Sequence, residues 1–548
     1  MYVELLKMLS NNSYYLERRN LMEQEEDFLS KANQIMTDAL DKAGELLSRK
    51  PEIAEVILKQ ILKCDPEHLG ALQLLGLTKH RMGENAESIE IIQTALELDP
   101  LNPDNWNNLG LAYGGLENHK KAIECFQKAI EIKPSQYLYK NNMALQYRAL
   151  EDYDNAIATM KEAIASNEQP QIWLNLGGIY LELKNIDEAK KCFERALRLD
   201  PELSAAYVDL AFAHHLAGNW KEGFAFYEWR VWYYHQMRFY RNAYDMNKLW
   251  NGKDDLNGKT VLIYGEQGLG DIIQFSRYIK GLKALGAYVI LHCPANLDSV
   301  LKRVEGVDET TNQDITVDDP VPFKDYDYQM PIMSLPHLLK IKEITGEPFI
   351  KSLTSAFKEY IENEYKDVFK IGIVWAGSPS HPHDRKRSIP LKHFKPIYDT
   401  EGVKLFNLQM DIRKRQYGVS YRCMENPDGK ANDKFKAENG IVDYCDGCDD
   451  LRLIDLTQMI QSFEDTAVIL EGLDLIICCD TSIAHLAGAM GKPVWVCLPY
   501  NPDWRWLAEG ETTHWYDSMK LYRQPERDDW TSVFSKIKKD LDALLQNK

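Results

Sequence analysis

A repeat of 34 residues fills the first 235 residues and constrains the fold more than any other feature of the sequence. The clearest unit runs from Pro103 to Pro134. Its large apolar and small residues recur at the spacing of two amphipathic helices joined by a turn. Related units before and after it bring the predicted number of repeats to six. One helix pair is too thin to bury its apolar face alone, so we expect the units to stack into an α-solenoid.

Eight positions of this unit carry the residue types of one known repeat pattern. They are Trp106, Leu109, Gly110, Tyr113, Ala122, Phe126, Ala129 and Pro134. The unit therefore resembles the tetratricopeptide repeat. Small residues at the eighth and twentieth positions let the two helices approach closely, and the final proline ends the second helix.

An asparagine holds the sixth position in three successive repeats, on the helix that lines the groove of such a solenoid. These residues are Asn108, Asn142 and Asn175. An asparagine ladder can hydrogen-bond the backbone of an extended peptide, and in this respect the region resembles the superhelix of O-GlcNAc transferase. We predict that the groove binds a protein or peptide. The alternative is that asparagine is simply a common surface residue at this position.

Charge and length limit the function further. The chain has 548 residues and a formal net charge of −18, which disfavours nucleic acid as a partner. Its beginning lacks the pattern of a secretory signal peptide, and no run of about 18 apolar residues predicts a membrane span. The ten cysteines are scattered, so we expect a reduced, cytoplasmic protein.

Beyond the repeats, strand and helix patterns alternate in two blocks. The first block contains predicted strands at Val261–Tyr264 and Tyr288–His292, with a helix predicted from Ile272 to Leu285 between them. The second begins with FKIGIVWAGSPS and continues with predicted strands at 405–409, 473–480 and 494–499. The pattern predicts two doubly wound α/β halves that face a cleft.

The first block carries the turn GEQGLGD between a strand and a helix. Gly268 and Gly270 would allow a ligand to approach the backbone there, and the helix N-terminus favours an anion. Asp271 closes the turn. It is a candidate general base, or alternatively a helix cap, a role that would hold its pKa low.

The second block carries CDTSIAHLAGAMGKP. Asp480 ends a predicted strand, and Thr481 and Ser482 stand where a helix should begin, which predicts a phosphate site. His485 lies one turn later and is either a ligand-binding or a packed histidine. Gly491 predicts the end of the helix.

Two further segments are candidates for binding. SHPHDRKRSIPL concentrates positive charge at Arg385–Arg387, where Arg387 could neutralise a diphosphate, although the segment could also be a solvated charge run. Cys445 and Cys448 form one C-x-x-C with Cys423 upstream. That set falls short of a four-ligand zinc site, so a loop with free thiols is the main expectation and zinc the alternative.

Together these motifs resemble bacterial and phage proteins in which tetratricopeptide repeats are fused to a domain similar to the family 9 glycosyltransferases, the lipopolysaccharide heptosyltransferases, and more distantly to O-GlcNAc transferase. The resemblance implies a GT-B fold after the α-solenoid. It assigns Asp271 as the base. It assigns donor-phosphate contacts to Asp480, Thr481, Ser482, His485 and Arg387. Ser482 replaces a family glycine, and Arg387 replaces a family lysine.

The resulting prediction is a glycosyltransferase that moves a sugar from a nucleotide-diphosphate sugar to an acceptor hydroxyl, with no cofactor and no required metal. The alternative is a protein-interaction scaffold whose GT-B domain is inactive. The predicted organisation is a helical segment at 1–34, six repeats at 35–235, an acceptor-side half at 236–365, and a donor-side half at 366–548 with a polar insert at 411–450.

Overall fold

The computed structural model describes residues 22–236, 246–312, 326–351, 356–378, 381, 384–410, 441–443 and 452–546. The chain divides into two compact units, with the boundary after Ala206. The first unit is a succession of helices, and the second contains two mainly parallel β-sheets. The predicted order of an α-solenoid followed by an α/β region is therefore confirmed.

Antiparallel helix pairs build the first unit. The helices up to the unit boundary are α1 (Met22–Leu46), α2 (Pro51–Cys64), α3 (Leu69–Arg81), α4 (Asn85–Leu98), α5 (Pro103–Gly115), α6 (His119–Ile132), α7 (Tyr137–Ala149), α8 (Tyr153–Ser166), α9 (Pro170–Glu182) and α10 (Ile186–Leu199). Three more complete the helical region: α11 (Ser204–Leu216), α12 (Trp220–Tyr227) and α13 (Trp229–Gln236).

Small residues allow the helices of a pair to approach, as the repeat pattern predicts. At Gly110 a β-carbon would lie 2.7 Å from Cε1 of Phe126, inside van der Waals contact. The second helix of this repeat, α6, ends two residues before Pro134. The close approach explains why position 110 holds a glycine, since a larger side chain would overpack the helix pair.

The turn inside each repeat has a recurring left-handed residue. Gly83, Glu117, Glu151 and Lys184 all have positive φ angles between 57° and 83°. A glycine adopts this conformation without strain, whereas a glutamate or lysine does so at some cost. The turn geometry is thus set by the helix pairing and not by the residue at the turn.

The first sheet of the second unit has four parallel strands in the order β3-β2-β1-β4. They are β1 (Thr260–Tyr264), β2 (Tyr288–His292), β3 (Glu309–Thr311) and β4 (Tyr328–Pro331). Its helices are α14 (Leu269–Ser276), α15 (Ile279–Ala284), α16 (Asp298–Leu301) and α17 (Leu335–Leu338).

The single helix predicted from Ile272 to Leu285 is wrong, because α14 ends at Ser276 and α15 begins at Ile279. The Ser276 hydroxyl donates to the Ile273 carbonyl at 2.8 Å. Nε of Arg277 donates to the Gln274 carbonyl at 3.1 Å. Side chains thus bond backbone carbonyls at this break.

The second sheet has seven strands in the order β11-β10-β9-β5-β6-β8-β7, all parallel except β7. They are β5 (Phe369–Val374), β6 (Val403–Asn407), β7 (Ile441–Asp443), β8 (Arg452–Asp455), β9 (Leu475–Cys479), β10 (Val494–Leu498) and β11 (Met519–Arg523). Its helices are α18 (Ala356–Glu364), α19 (Asp384–Arg387), α20 (Lys395–Tyr398), α21 (Phe463–Glu471), α22 (Ser482–Ala489) and α23 (Trp530–Gln546).

One hydrophobic core joins the two sheets within the second unit. It contains residues of β1, α14, α22 and β10, and it extends to Phe224 of α12. A second core covers the other face of the seven-stranded sheet, where α23 packs. The two α/β halves are therefore packed against each other around a shared set of buried side chains.

Candidate functional site

The turn after β1 forms the first part of the candidate site. Gly268 precedes the first residue of α14, and Asp271 is the third residue of that helix. Oδ2 of Asp271 accepts a hydrogen bond from the Gly268 amide at 2.8 Å. The N-cap is therefore Gly268 and not Asp271, which bonds the N-cap amide from the third position of the helix, as the acidic residue of a capping box does.

An ion pair with Arg505 holds the other oxygen of Asp271. Nη2 of Arg505 donates to Oδ1 of Asp271, and the aspartate side chain is 15% exposed. Burial raises the pKa of Asp271 above its ordinary value, and the charge of Arg505 opposes that rise. The expectation that capping holds this pKa low is therefore wrong, because loss of water outweighs the hydrogen bonds.

Glu266 and Arg230 form a buried pair next to the same turn. The Arg230 side chain is fully buried, and its Nη2 donates to Oε1 of Glu266 at 2.6 Å and to Oγ of Ser334 at 2.9 Å. Oε1 of Glu266 also accepts from the Met333 amide at 3.0 Å. Sequence reasoning missed both partners, and a glutamate inside a glycine-rich turn was the only available signal.

The turn after β9 forms the second part. Thr481 has extended backbone angles and directly precedes α22, as predicted, and Gly491 follows the helix with φ of +74°. No side chain caps the start of α22. The Thr481 hydroxyl oxygen is buried without a hydrogen-bond partner in the described structure. The start of α22 therefore offers a buried hydroxyl that has no hydrogen-bond partner within the described part of the protein.

Burial raises the pKa of Asp480 to about 6, with nearby Asp503 adding to the rise and Arg387 opposing it. Nη1 of Arg387 donates to the Asp480 carbonyl at 3.0 Å. Nε of Arg387 lies 3.2 Å from Oδ1 of Asp384. The arginine is therefore fixed at the end of β9, while Arg385 of the same basic cluster is exposed.

Arg387 lies near the point where the strand order of the second sheet reverses. β5 lies between β9 and β6, so the strand order reverses at β5. In open α/β sheets, ligands bind in the crevice outside the carboxyl ends of the strands at such a point. Gly377, in the segment after β5, lies so close to Arg387 that a β-carbon would overlap the guanidinium. Arg387 thus bridges the two segments that border this crevice.

His485 is buried at 4% exposure and packs in the interior. Its ring stacks on Trp506 with centroids 5.3 Å apart, and its Nδ1 lies 3.0 Å from the Tyr516 hydroxyl. Burial lowers its pKa well below the ordinary value. These contacts fit the packed alternative for His485 and hold the ring neutral.

The two turns meet where α14 packs against α22. A β-carbon at Gly270 would lie 2.7 Å from Cδ2 of His485 and 3.4 Å from Cα of Ser482. The structure thus brings Gly270 and Asp271 of the first half next to Ser482 and His485 of the second half. The close approach explains the need for a glycine at position 270.

A cavity of about 630 Å³ lies elsewhere in the second unit. Trp250, Arg277, Tyr278 and Lys280 are among its lining residues. None of the predicted site residues lines it.

Asn142 and Asn175 donate to asparagines of the preceding repeat, whereas Asn108, the third predicted groove asparagine, accepts from Asn107 of its own helix. Nδ2 of Asn142 donates to Oδ1 of Asn107 at 2.9 Å. Nδ2 of Asn175 donates to Oδ1 of Asn141 at 2.8 Å. Nδ2 of Asn107 donates to Oδ1 of Asn108 at 3.3 Å. The ladder is therefore a network between repeats.

Cys423, Cys445 and Cys448 lie outside the described residues, and so does His383 of the basic segment. Within the ranges given above, no group of three or more His, Cys, Asp or Glu is placed to hold a metal ion. No helix in those ranges is both long and apolar enough to cross a bilayer.

Solved structures are similar to about a third of this chain. A solved thermophilic TPR protein of Thermus thermophilus is 23% identical over 32% of this chain and 98% of that chain, with a TM-score of 0.31. Pseudomonas aeruginosa PilF is 16% identical over 35% of this chain and 89% of that chain, also with a TM-score of 0.31.

A curated protein matches a longer part of the sequence. Protein FlbA of Caulobacter vibrioides is 23% identical over 68% of this chain and 67% of its own length. That share exceeds the length of either unit, so the match extends into both.

Two family models, both described as tetratricopeptide repeat, match four of the six predicted repeats. One matches residues 103–136 and 170–203, and the other matches residues 69–100 and 139–170. The first unit thus contains tetratricopeptide repeats.

Proposed function

We propose that the second unit is a glycosyltransferase of the GT-B type, which moves a sugar from a nucleotide-diphosphate sugar to an acceptor hydroxyl. The observation that carries the proposal is the meeting of the two strand-to-helix turns, with Gly270 next to Ser482 and His485. A transferase needs its acceptor base and its donor site within reach of one anomeric carbon. Asp271 follows Gly270 in α14, and Asp480 precedes Ser482 by two residues, directly after β9.

The donor diphosphate binds at the start of α22 in this proposal. Backbone amides and the helix dipole favour an anion there, and the Thr481 hydroxyl has no other partner in the described structure. Arg387 adds a positive charge beside the same segment, through its bond to the Asp480 carbonyl. As the bond to the sugar breaks, these groups stabilise the charge on the departing diphosphate.

Asp271 is the proposed general base. It accepts the proton of the acceptor hydroxyl while the hydroxyl oxygen attacks the anomeric carbon. Each of its oxygens already accepts one hydrogen bond, and an ionised carboxylate oxygen has a further lone pair for the acceptor.

In this proposal the repeats bind a protein. That protein either carries the acceptor hydroxyl itself or brings the enzyme to the molecule that carries it. Stacked tetratricopeptide repeats form extended surfaces suited to protein partners.

Two assays test the proposal. A nucleotide that binds the folded chain raises its unfolding temperature, so UDP, GDP, ADP and CMP derivatives are compared first. Transfer is then measured with the nucleotide sugar that gives a shift. Arg387→Ala should lower transfer about 100-fold or more by removing a fixed positive charge. Arg385→Ala, in the same helix but exposed, is the matched control and should retain wild-type transfer.

A scaffold with an inactive second unit is the other candidate, and one observation favours it. Asp271 already has a charged partner in Arg505, as a purely structural carboxylate would. If no nucleotide shifts the unfolding temperature and no sugar is transferred, the scaffold is the better description.

A further inference from the structure

We infer that Arg505 is the positioning residue for Asp271, and that it fixes the carboxylate in the orientation and ionised form needed to activate an acceptor. The inference rests on the proposed function and deepens it. Arg505 lies in the short 3₁₀ helix Trp504–Trp506 after β10, whereas Asp271 lies in α14 of the other α/β half. The reacting carboxylate is therefore completed by a residue from the donor-side half.

Every nitrogen of the Arg505 guanidinium has a partner. Nε donates to Oε1 of Gln274 at 2.9 Å, Nη1 donates to Oδ1 of Asp503 at 2.6 Å, and Nη2 donates to Asp271. The Gln274 contact comes from α14, the same helix that carries Asp271. Two bonds from one planar group to one helix fix the orientation of that group relative to the carboxylate.

Aromatic rings surround the segment that carries Arg505. Its guanidinium lies 4.3 Å from the ring centre of Trp504. The ring of His215, from α11, also stacks on Trp504, at 4.3 Å between centroids. Burial lowers the pKa of His215, so this ring stays neutral beside the arginine. Because these rings shield Arg505 from water, the electrostatic attraction between Arg505 and Asp271 is stronger than it would be at the protein surface.

The charges that face Asp271 explain why it needs a cation. Asp503 and Glu266 both raise its pKa, and burial raises it most. Glu266 has its own partner in Arg230. The Gly268 amide lowers the pKa, and the neutral ring of His485 adjoins Gly270 without adding charge. Loss of Arg505 would leave a buried carboxyl beside two other acids, and protonation would follow.

The test replaces Arg505 by methionine, which keeps its length but removes its charge, and by lysine, which restores the charge without the planar fork. With the wild-type chain as reference, Arg505→Met should lower kcat at least 10-fold and move the acidic limb of the pH profile of kcat/KM to higher pH. Arg505→Lys should leave the acidic limb between its positions in the wild-type chain and in Arg505→Met. The KM for the donor should change less than kcat, because Arg505 hydrogen-bonds Asp271 directly and acts on Asp480 of the proposed phosphate segment through its charge.

Arg523 provides the matched control. Its guanidinium braces the same segment, donating to the carbonyls of Trp506, Leu507 and Gly510, and makes no contact with Asp271. Arg523→Met should therefore lower the unfolding temperature without moving the acidic limb. An acidic limb that stays in place in Arg505→Met, or one that moves equally in both variants, would overturn the inference.

A second measurement needs no enzymatic activity. Arg505→Met and Asp271→Asn are combined, and the unfolding temperatures of the two single variants and the double variant are compared. The double variant should lose clearly less than the sum of the single losses, because the first substitution has already broken the pair. Additive losses would overturn the inference. Absence of sugar transfer by the wild-type chain would instead overturn the proposed function, whatever the comparison of the single and double variants shows.

Discussion

Gly177 and Gly178 are neighbours in α9, yet only one of them faces the partner helix. A β-carbon at Gly177 would overlap the ring of Phe193, which is fully buried, whereas one at Gly178 would lie 3.6 Å from Nη1 of Arg148. Gly177→Ala should therefore cost about 1–3 kcal/mol of stability through overpacking. Gly178→Ala should be neutral or stabilise by about 0.5–1 kcal/mol, because alanine favours the helix.

Urea unfolding of the two glycine variants measures both effects, and Gly178→Ala serves as the control for helix propensity. Equal shifts of the unfolding midpoint in the two variants would contradict the close helix packing described for the repeats.

Asp480 should make the stability of the chain depend on pH. Its pKa in the folded protein is raised to about 6. The stability linked to its protonated form is present below the ordinary pKa, near 4, and is lost as the pH rises through 6. Asp480→Asn does not titrate and escapes this loss. Its stability relative to the wild-type chain should rise between pH 4 and pH 7, by about 1 kcal/mol or more.

Thermal unfolding of the Asp480→Asn variant and the wild-type chain at several pH values measures this difference. A constant difference between the two proteins across that range would show that the Asp480 carboxyl is not buried as described.

The asparagine network shows how one side chain can link whole helices. Asn142 of α7 donates to Asn107 of α5, and Asn175 of α9 donates to Asn141 of α7. Asn142→Ala leaves the Asn107 oxygen buried without this donor, which should cost about 1–3 kcal/mol. The combined Asn107→Ala and Asn142→Ala variant should cost less than the sum of the two losses. Exposed Asn155 supplies the control substitution.

Asn108 and Asn142 are buried, so they are not the surface residues of the alternative prediction. Unfolding free energies of the single and double asparagine variants separate peptide binding from the bonding between repeats. Wild-type stability in Asn142→Ala, together with weaker binding of a protein partner, would favour the peptide-binding role over the structural one.

Elements with a strong local signal were predictable, and contacts between distant elements were not. The strand at Tyr288–His292 was predicted to the residue, because it is a short apolar run after a glycine turn. The break after Ser276 depends on side-chain bonds to backbone carbonyls, which periodicity does not encode. Sequence reasoning also missed Arg505, whose partners Gln274 and Asp271 lie 231 and 234 residues away along the chain.

At the scale of the whole molecule, the chain combines repeats that suit protein partners with an α/β unit in which two candidate half-sites meet. The turn residues predicted for both half-sites stand at or just before the starts of α14 and α22, and Arg387 lies at the end of α19. The sequence predicted the repeats and the two turns because each of these patterns lies within a short stretch of the chain. Sugar transfer as proposed needs both turns together, so it depends on the folded second unit and not on either turn alone.

The most direct measurement of the central claim is intact-mass analysis of acceptor proteins after incubation with the full chain and a panel of nucleotide-diphosphate sugars. A mass increase of one sugar residue with one donor, abolished by Asp271→Asn and by Arg387→Ala but retained in Arg385→Ala, is the result we predict. A mass increase that persists unchanged in Asp271→Asn and Arg387→Ala would contradict the assigned site. No increase with any donor, together with no nucleotide binding, would contradict the transferase itself.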